Sequence, residues 1–268
     1  MSFRDDLTNR PAAVYADFLL PHLRKTARVL DCGCGSGSIA VGLGGAVAKG
    51  TVVGVDVNAR PLRAARRYVH AESIEHVHFV AADGTALPFG DATFDAALCH
   101  SVLEVASQPV ALLREVQRVL VPGGVVAVAS VDYGGLILSG PGRVLLERFY
   151  KVRERLWRLD TVARPRAGRE LRRLLADAGF IGVRGFARYL SYGTPDRVRA
   201  FGMARARDCQ DPWYAASSVR HGLLSVDELR RIKNTWAEWS RSPRAFAAFA
   251  WCRAIGHKPP RRRPRSRR

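Results

Sequence analysis

Residues 28–37 read RVLDCGCGSG, a short apolar run that includes Asp31 and continues into three alternate glycines. An apolar, helical pattern follows over residues 39–48, so the glycines occupy a predicted strand-to-helix turn. Glycine at such a turn tolerates positive φ and, because it lacks a Cβ, lets a ligand lie against the main chain. Nicotinamide-binding proteins use a related turn for pyrophosphate, so the glycines alone leave the ligand undecided.

Strand and helix patterns alternate around this turn. Apolar runs predict strands at 28–31, 51–56, 77–81, 94–99 and 125–131. Helical spacing predicts helices at 11–24, 39–48, 61–70 and 110–120, the last ended by Pro122-Gly123-Gly124. Such alternation is typical of βαβ units, and it predicts a parallel sheet with helices on both faces.

The alternation breaks after residue 131. We predict helices at 143–159, 168–178 and 225–239, the last opened by a Ser225/Glu228 capping box, and strands at 181–190 and 246–255. The predicted organisation is one domain over residues 1–257. Its core comprises 25–131, 168–190 and 245–257, its helical cap insertions comprise 132–167 and 191–244, and a disordered basic tail covers 258–268.

The net charge of +19 raises the question of a nucleic-acid partner. Seven of the basic residues lie in the tail, KPPRRRPRSRR, which contains no acid. A Pro/Arg run of this kind cannot bury a core and is typical of solvated, disordered segments. The charge therefore gives weak support to nucleic-acid binding, which we retain as an alternative.

Composition excludes several other classes. No stretch approaches the roughly 18 uninterrupted apolar residues of a membrane span, and residues 1–10 carry acids rather than an apolar leader. We therefore expect a cytoplasmic protein. The five cysteines give no disulfide framework, and Cys32 with Cys34 lacks the second pair that a zinc site needs, so we expect reduced thiols and no metal.

Acidic residues stand at the ends of the first three predicted strands, as Asp31, Asp56 and Asp83. Asp31 would repel a pyrophosphate and attract an ammonium group. Asp56 can accept hydrogen bonds from ribose hydroxyls, and Asp83 from an exocyclic amine, next to Gly84. S-adenosylmethionine carries the amine, the diol and the adenine that match these three acids.

In these motifs the sequence resembles class I S-adenosylmethionine-dependent methyltransferases, in the branch similar to ubiquinone/menaquinone C-methyltransferases (methyltransferase type 11). The resemblance covers residues 15–131. Its motifs are Val29-Leu30-Asp31-Cys32-Gly33-Cys34-Gly35-Ser36-Gly37, Val55-Asp56, Ala82-Asp83-Gly84, Phe94-Asp95 and Arg118-Val119-Leu120-Val121-Pro122-Gly123-Gly124. It implies a Rossmann-like sheet of seven strands, mostly parallel with an antiparallel last strand, and helical cap insertions.

The resemblance also implies roles for single residues. The glycines would line the methionine side of the cofactor, Asp56 would hold the ribose, and Asp83 with Gly84 would meet the adenine. His100 and Ser101 would border the transferred methyl. The residues expected at the cofactor are Tyr15, Asp31, Gly33, Cys34, Gly35, Asp56, Val57, Asp83, Gly84, His100 and Ser101. His100 and Tyr133 are the catalytic candidates, and for His100 a general base and a buried structural imidazole both stay open.

The predicted function is methyl transfer from S-adenosylmethionine to a small, largely apolar or aromatic acceptor at O, C or N, in secondary metabolism or quinone-type biosynthesis. Aromatic residues crowd both insertions, as the core of a cap or as the walls of an acceptor pocket. Two alternatives are an RNA or DNA methyltransferase and a cofactor-binding enzyme that transfers no methyl, such as a cyclase or decarboxylase. A homodimer is also left open.

Overall fold

The computed structural model describes residues 10–261. The strands are β1 (Arg28–Cys32), β2 (Thr51–Asp56), β3 (Val77–Ala81), β4 (Phe94–His100), β5 (Leu120–Ser139), β6 (Ile181–Tyr192) and β7 (Phe246–His257). The α-helices are α1 (Ala12–Tyr15), α2 (Ser38–Ala46), α3 (Ala59–Ala71), α4 (Pro109–Val119), α5 (Arg143–Asp160), α6 (Leu171–Asp177), α7 (Pro195–Asp208), α8 (Pro212–Arg220) and α9 (Val226–Trp239). Short 3₁₀ helices cover Leu20–His22 and Ala167–Glu170.

The strands form one sheet in the order β3-β2-β1-β4-β5-β7-β6. The pairs β1/β2, β1/β4, β2/β3 and β4/β5 are parallel, whereas β7 runs antiparallel to β5 and β6. The backbones of Gly123 and Lys258 show this direction, because Gly123 N–H donates to Lys258 O (3.0 Å) and Lys258 N–H donates to Gly124 O (2.9 Å). The predicted seven-stranded sheet with an antiparallel last strand is confirmed.

Within the residues described, the chain divides into two compact units. The glycine-turn unit comprises residues 10–130, 170–186 and 253–261, and the aromatic unit comprises 131–169 and 187–252. Strands β5, β6 and β7 contain residues of both units.

The glycine-turn unit is built on central strands that are apolar on both faces. Val29, Leu30, Ala97 and Leu98 are all completely buried. Parallel strands covered by helices on both faces need this near-continuous apolar sequence. Register then brings the carboxyl ends of the strands to one edge, since Cys32 lies opposite Val55 and Asp56 opposite Ala81.

The core of the aromatic unit consists of aromatic rings in edge-on and tilted contacts. Phe149, Tyr214, Trp236 and Trp239 are fully buried. Ring centroids lie 4.8 Å apart for Phe149 and Tyr214 and 5.5 Å apart for Trp236 and Trp239, within the range of favourable aromatic pairs. Trp239 Nε1–H donates to Ser139 O at 2.7 Å, which satisfies the indole inside this core. These rings are core side chains.

Two predicted elements differ from the structure. The single helix predicted over 11–24 is instead α1 followed by a 3₁₀ turn at Leu20–His22. The helical conformation ends at Ala16, whose φ is −123° and ψ is 14°, and Pro21 lies inside the 3₁₀ turn. Strand β5, predicted over 125–131, begins at Leu120 and continues to Ser139. Gly123 takes a φ of +81° inside it, so the predicted turn is a bend within the strand.

The first residue of the predicted disordered tail is fixed in the fold. Lys258 Nζ donates to the carbonyl oxygens of Arg118 (2.9 Å) and Leu120 (2.7 Å). Residues 262–268 of that prediction lie outside the described residues. Among residues 10–261 there is no helix with the length and hydropathy of a membrane span, and no group of three or more His, Cys, Asp or Glu with metal-binding spacing.

Candidate functional site

The glycine turn folds against the end of β2. The amides of Gly33 and Cys34 both donate to Val55 O, at 2.7 and 2.9 Å. Gly33 and Gly37 take φ values of +79° and +78°. A Cβ on Gly33 would collide with Val102 Cγ2, and one on Gly37 would lie 2.5 Å from the Phe79 ring, so packing requires glycine at both positions.

Gly35 differs from its two neighbours in what it faces. Its φ is +53°, and no atom lies within 4 Å of the position that a Cβ would take. The main chain at Gly35 is therefore open to a ligand. This is the geometry expected of a turn that a bulky molecule lies against.

Asp56 joins this turn to the end of β2. Its Oδ2 accepts from Gly35 N–H (2.8 Å) and its Oδ1 accepts from Asn58 N–H (2.9 Å). The carboxylate is half-buried, and each oxygen keeps a second acceptor site for a ligand hydroxyl. Val57, which follows it, is 76% exposed.

Asp31 lies at the end of β1 and is buried. Burial, and to a smaller extent the charge of Asp56, raise its pKa from 3.8 to about 7, against a hydrogen bond with the Ala40 backbone that lowers it. Its Oδ2 has no hydrogen-bond partner among the described residues. A buried acceptor without a donor is costly, so this oxygen is suited to a cationic or N–H-bearing group.

Unlike the buried Asp31, Asp83 is exposed to solvent. Its Oδ1 accepts from Thr85 N–H and from Thr85 Oγ1–H, both at 2.8 Å, and these hydrogen bonds lower its pKa. Asp83 is therefore ionised at neutral pH. The adjoining Gly84 packs closely, since a Cβ there would lie 2.9 Å from Leu112 Cδ1 and 3.2 Å from Cys32 Sγ.

His100, at the end of β4, is held in a polar cluster. Its Nδ1 lies 2.9 Å from Arg10 Nη1 and 3.2 Å from Ser101 Oγ, and Arg10 also donates to Ser101 Oγ at 2.8 Å. The Tyr15 ring stands edge-on to the imidazole at 5.4 Å. Burial lowers the pKa of His100 well below its ordinary value, and the charges of Arg10 and Arg253 lower it further.

Ser101 adopts a φ of +58°, a left-handed conformation that a non-glycine residue takes at a cost of about 1–2 kcal/mol. Nearby, Glu104 Oε2 accepts from Ser130 Oγ–H at 2.6 Å. Burial raises the pKa of Glu104, while hydrogen bonds from Ser130 and Ser101 oppose this. Strain of this kind persists only where the surrounding structure holds it.

All eleven predicted cofactor residues lie in the glycine-turn unit. The catalytic candidate Tyr133 belongs to the aromatic unit, where its ring packs on Trp157 (5.0 Å) and Phe249 (5.7 Å). Its catalytic role stays a prediction. Cys34 is a free, half-buried thiol whose pKa is raised by burial and then by Asp31 and Asp56.

Arg10 is the site residue that sequence reasoning missed. It is separated from His100 by 90 residues and precedes the first motif. No local pattern marks an arginine that completes a cluster at such a distance. The one signal in the sequence was His100 itself, because a histidine at the end of a buried strand needs a hydrogen-bond partner for its ring.

Comparison with known proteins gives matches to methyltransferases. Residues 30–128 match the family model for a methyltransferase domain. The chain is 30% identical over 173 residues to a demethylmenaquinone methyltransferase of Staphylococcus aureus, covering 60% of this chain and 71% of that one. It is 37% identical over 123 residues to a malonyl-[acyl-carrier protein] O-methyltransferase of Pseudescherichia vulneris, covering 45% and 46%. With several of its curated relatives, this chain spans about half of the relative's length.

Among solved structures, the fold is similar to phosphoethanolamine N-methyltransferase 2 of Haemonchus contortus, in complex with phosphomonomethylethanolamine and S-adenosylhomocysteine. The TM-score is 0.57 at 17% identity, and the alignment covers 91% of this chain and 52% of that one. At this identity the similarity concerns the fold.

Proposed function

This chain belongs to the methyltransferase family that the domain model describes, and on that premise we propose that it transfers a methyl group from S-adenosylmethionine to a small, largely apolar or aromatic acceptor. The observation that carries the proposal is the pairing of Gly35 with Asp56. An open main chain at Gly35 lies next to a carboxylate that holds the turn and keeps acceptor sites of its own.

The cofactor is S-adenosylmethionine, and the acids of this edge fit its polar groups. Asp31 would receive the ammonium group on its unpartnered Oδ2, Asp56 the ribose hydroxyls, and Asp83 the adenine amine. The main chain around the bound cofactor would be that of Gly33, Cys34, Val57 and Gly84. When bound, this cofactor supplies an electrophilic methyl group on a sulfonium.

The chain's own residues would act mainly by positioning. Displacement at a methyl carbon requires an aligned acceptor, and orientation of this kind can contribute about 7–11 kcal/mol in favourable systems. His100, Ser101 and Tyr15 form the cluster expected beside the methyl group, and Tyr133 is a further candidate on the acceptor side. The network around Arg10 would keep the first two side chains in one arrangement.

The acceptor class is supported by a relative. The demethylmenaquinone methyltransferase of 30% identity is named for a quinone precursor. An acceptor of quinone type or from secondary metabolism, methylated at O, C or N, is consistent with that name.

Calorimetric titration of the full chain with S-adenosylmethionine tests the cofactor assignment. We expect binding, no comparable binding of NAD, and a loss of about 10- to 100-fold in affinity for Asp56→Ala, because a charge-assisted pair of hydrogen bonds is removed. Asp227→Asn is the matched control, since Asp227 is exposed and pairs only with Arg230 among the described residues. Unchanged affinity in Asp56→Ala would contradict the assignment.

Mass spectrometry of producer extracts, incubated with and without the enzyme, tests the reaction. A product heavier by one methylene together with S-adenosylhomocysteine is expected. Turnover of a substrate without S-adenosylhomocysteine would favour a cyclase or decarboxylase. Steeply salt-dependent RNA binding that survives deletion of residues 258–268 would favour a nucleic-acid methyltransferase.

A further inference from the structure

A groove of about 460 Å³ lies between α8 and α9 in the aromatic unit, with the turn after α7 at its floor. Its volume falls within the range of about 300–1,000 Å³ that is typical of small-molecule sites. The described residues that line it all belong to the segment 187–252, so the aromatic unit forms it by itself. None of them is a residue assigned above to the cofactor or to the reaction, so the groove is not part of the proposed methyl-transfer site.

The sequence of α9 explains the first wall of the groove. The core-facing side of this helix carries completely buried residues such as Trp236. A second stripe, at i, i+3, i+4 and i+7 spacing, lines the groove and consists of Val226, Leu229, Arg230 and Lys233. Helix α9 therefore has an apolar surface beyond the one that it buries in the core, and two cations continue the same stripe.

The opposite wall is α8, whose side chains facing the groove are small. Ala215, Ala216 and Val219 share one face of this helix. Alanine does not reach across to α9, so a gap remains between the two helices. Val219 and Val226 stay 44% and 61% exposed on the two walls. Because covering apolar surface is favourable, a ligand with an apolar chain would be stabilised between them.

The charge at the groove is positive. Arg230 and Lys233 line it, and there is no acid among the described residues that do so. Arg230 pairs with the exposed Asp227 at 2.8 Å, and two cations against this one acid leave one positive charge in excess. Burial and then Asp208 raise the pKa of Cys209 to about 12, whereas nearby cations, Lys233 among them, lower it. The charge of Lys233 therefore acts at the floor of the groove, where Cys209 is buried.

We propose that this groove binds an amphipathic monocarboxylate, whose unbranched apolar chain lies between α8 and α9 and whose carboxylate accepts a hydrogen bond from Lys233 Nζ. The apolar walls match the chain, and the one excess positive charge matches one carboxylate. Val226 and Lys233 are seven residues apart on α9, about 10 Å along its axis, which suits a chain of about eight to ten carbons. This inference goes beyond the proposed function and does not rest on it.

Calorimetric titration of the full chain with decanoate, below the concentration at which it forms micelles, tests the ligand class. We expect one site per chain. Affinity should rise about 2- to 4-fold for each methylene added from hexanoate to decanoate, because each added methylene leaves water. Decylamine has the same chain and the opposite charge, so it should bind at least about 10-fold more weakly, as expected when a charge-assisted hydrogen bond is absent.

Two variants test the location of the site. Lys233→Gln should weaken decanoate binding about 3- to 10-fold, because the charge that meets the carboxylate is removed. Ala216→Leu should weaken it at least about 10-fold, because the larger side chain fills the space of the apolar chain. The matched controls are Lys151→Gln and Ala200→Leu, which change exposed residues of the same unit outside the groove. Circular dichroism and thermal unfolding check that every variant folds.

Several outcomes would overturn the inference. These are no binding of decanoate by the wild type, equal binding of decylamine, or unchanged decanoate binding in Lys233→Gln or in Ala216→Leu. Self-association of the wild type that Ala216→Leu abolishes would also overturn it, because a second copy of the chain would then cover the groove. Calorimetry with S-adenosylmethionine separates these outcomes from a failure of the proposed function, because all four variants should bind that cofactor as the wild type does.

Discussion

Asp31 is the residue whose chemistry should be most visible in solution. Its pKa is raised from 3.8 to about 7 by burial and by Asp56. The folded chain therefore holds a proton on Asp31 between about pH 4 and 7, whereas the unfolded chain has released it. Stability must fall as pH rises through this window, because the folded state binds more protons than the unfolded state.

The size of the effect follows from the same values. Each pH unit in the window lowers the free energy of unfolding by about 1.4 kcal/mol, so the total decrease approaches about 4 kcal/mol at pH above 7. His100 acts with the opposite sign, because its lowered pKa makes the folded state release a proton that the unfolded state keeps. The contribution of Asp31 must therefore be taken from the difference between the wild type and Asp31→Asn.

Urea unfolding of the ligand-free chain from pH 5 to 8 measures that difference. Asp31→Asn should gain stability relative to the wild type as pH rises to about 7, and the gain should then level off. Asp227→Asn, on the exposed face of α9, should show no such trend. A difference between wild type and Asp31→Asn that does not change with pH would refute the assigned protonation of Asp31.

The ligand gives a second measurement of the same proton. A cationic group beside Asp31 stabilises the carboxylate, so binding of S-adenosylmethionine near pH 6.5 should release protons from the wild type and fewer from Asp31→Asn. Calorimetry in buffers of different ionisation enthalpy reports this number directly. Equal proton release by the two chains would show that the ligand does not meet Asp31.

Two further changes test the turn and the aromatic core. Gly35→Ala should lower the free energy of unfolding by about 1 kcal/mol because of its φ alone, and it should weaken cofactor binding. Gly33→Ala should lower the free energy of unfolding by about 1–3 kcal/mol more, because the added Cβ collides with Val102. Thermal unfolding that ranks the two variants in the reverse order would contradict this. Trp239→Phe removes the hydrogen bond to Ser139 O and should cost about 2 kcal/mol in urea unfolding, with the half-buried Trp213→Phe as a milder control.

The strands and helices around the glycine turn could be predicted from local sequence. Strands β2 and β3 have the predicted bounds, because each is a β-branched, apolar run with clear turn residues on either side. Strand β5 was predicted too short at its start, since Pro122, Gly123 and Gly124 are typical of a turn that ends a helix. Backbone hydrogen bonds of Gly123 and Gly124 to Lys258, the residue after β7, override that local preference.

The candidate site could be predicted only in part, because long-range contacts are not encoded in local sequence. Local spacing predicts the alternate glycines and the acids at strand ends, but it does not predict which of these acids is buried. Asp31 and Asp83 occupy similar positions in the sequence pattern, yet one is buried with a raised pKa and the other is exposed with a lowered one. The Arg10 contact with His100 depends on folding across 90 residues, which no short pattern encodes.

The protonation state of Cys34 affects how readily this thiol reacts with an alkylating molecule. Cys34 lies among carboxylates, and burial together with Asp31 and Asp56 raises its pKa, so it remains a neutral thiol. Only a thiolate is a strong nucleophile. In the ligand-free chain, the sulfur beside this turn is therefore a poor nucleophile at neutral pH.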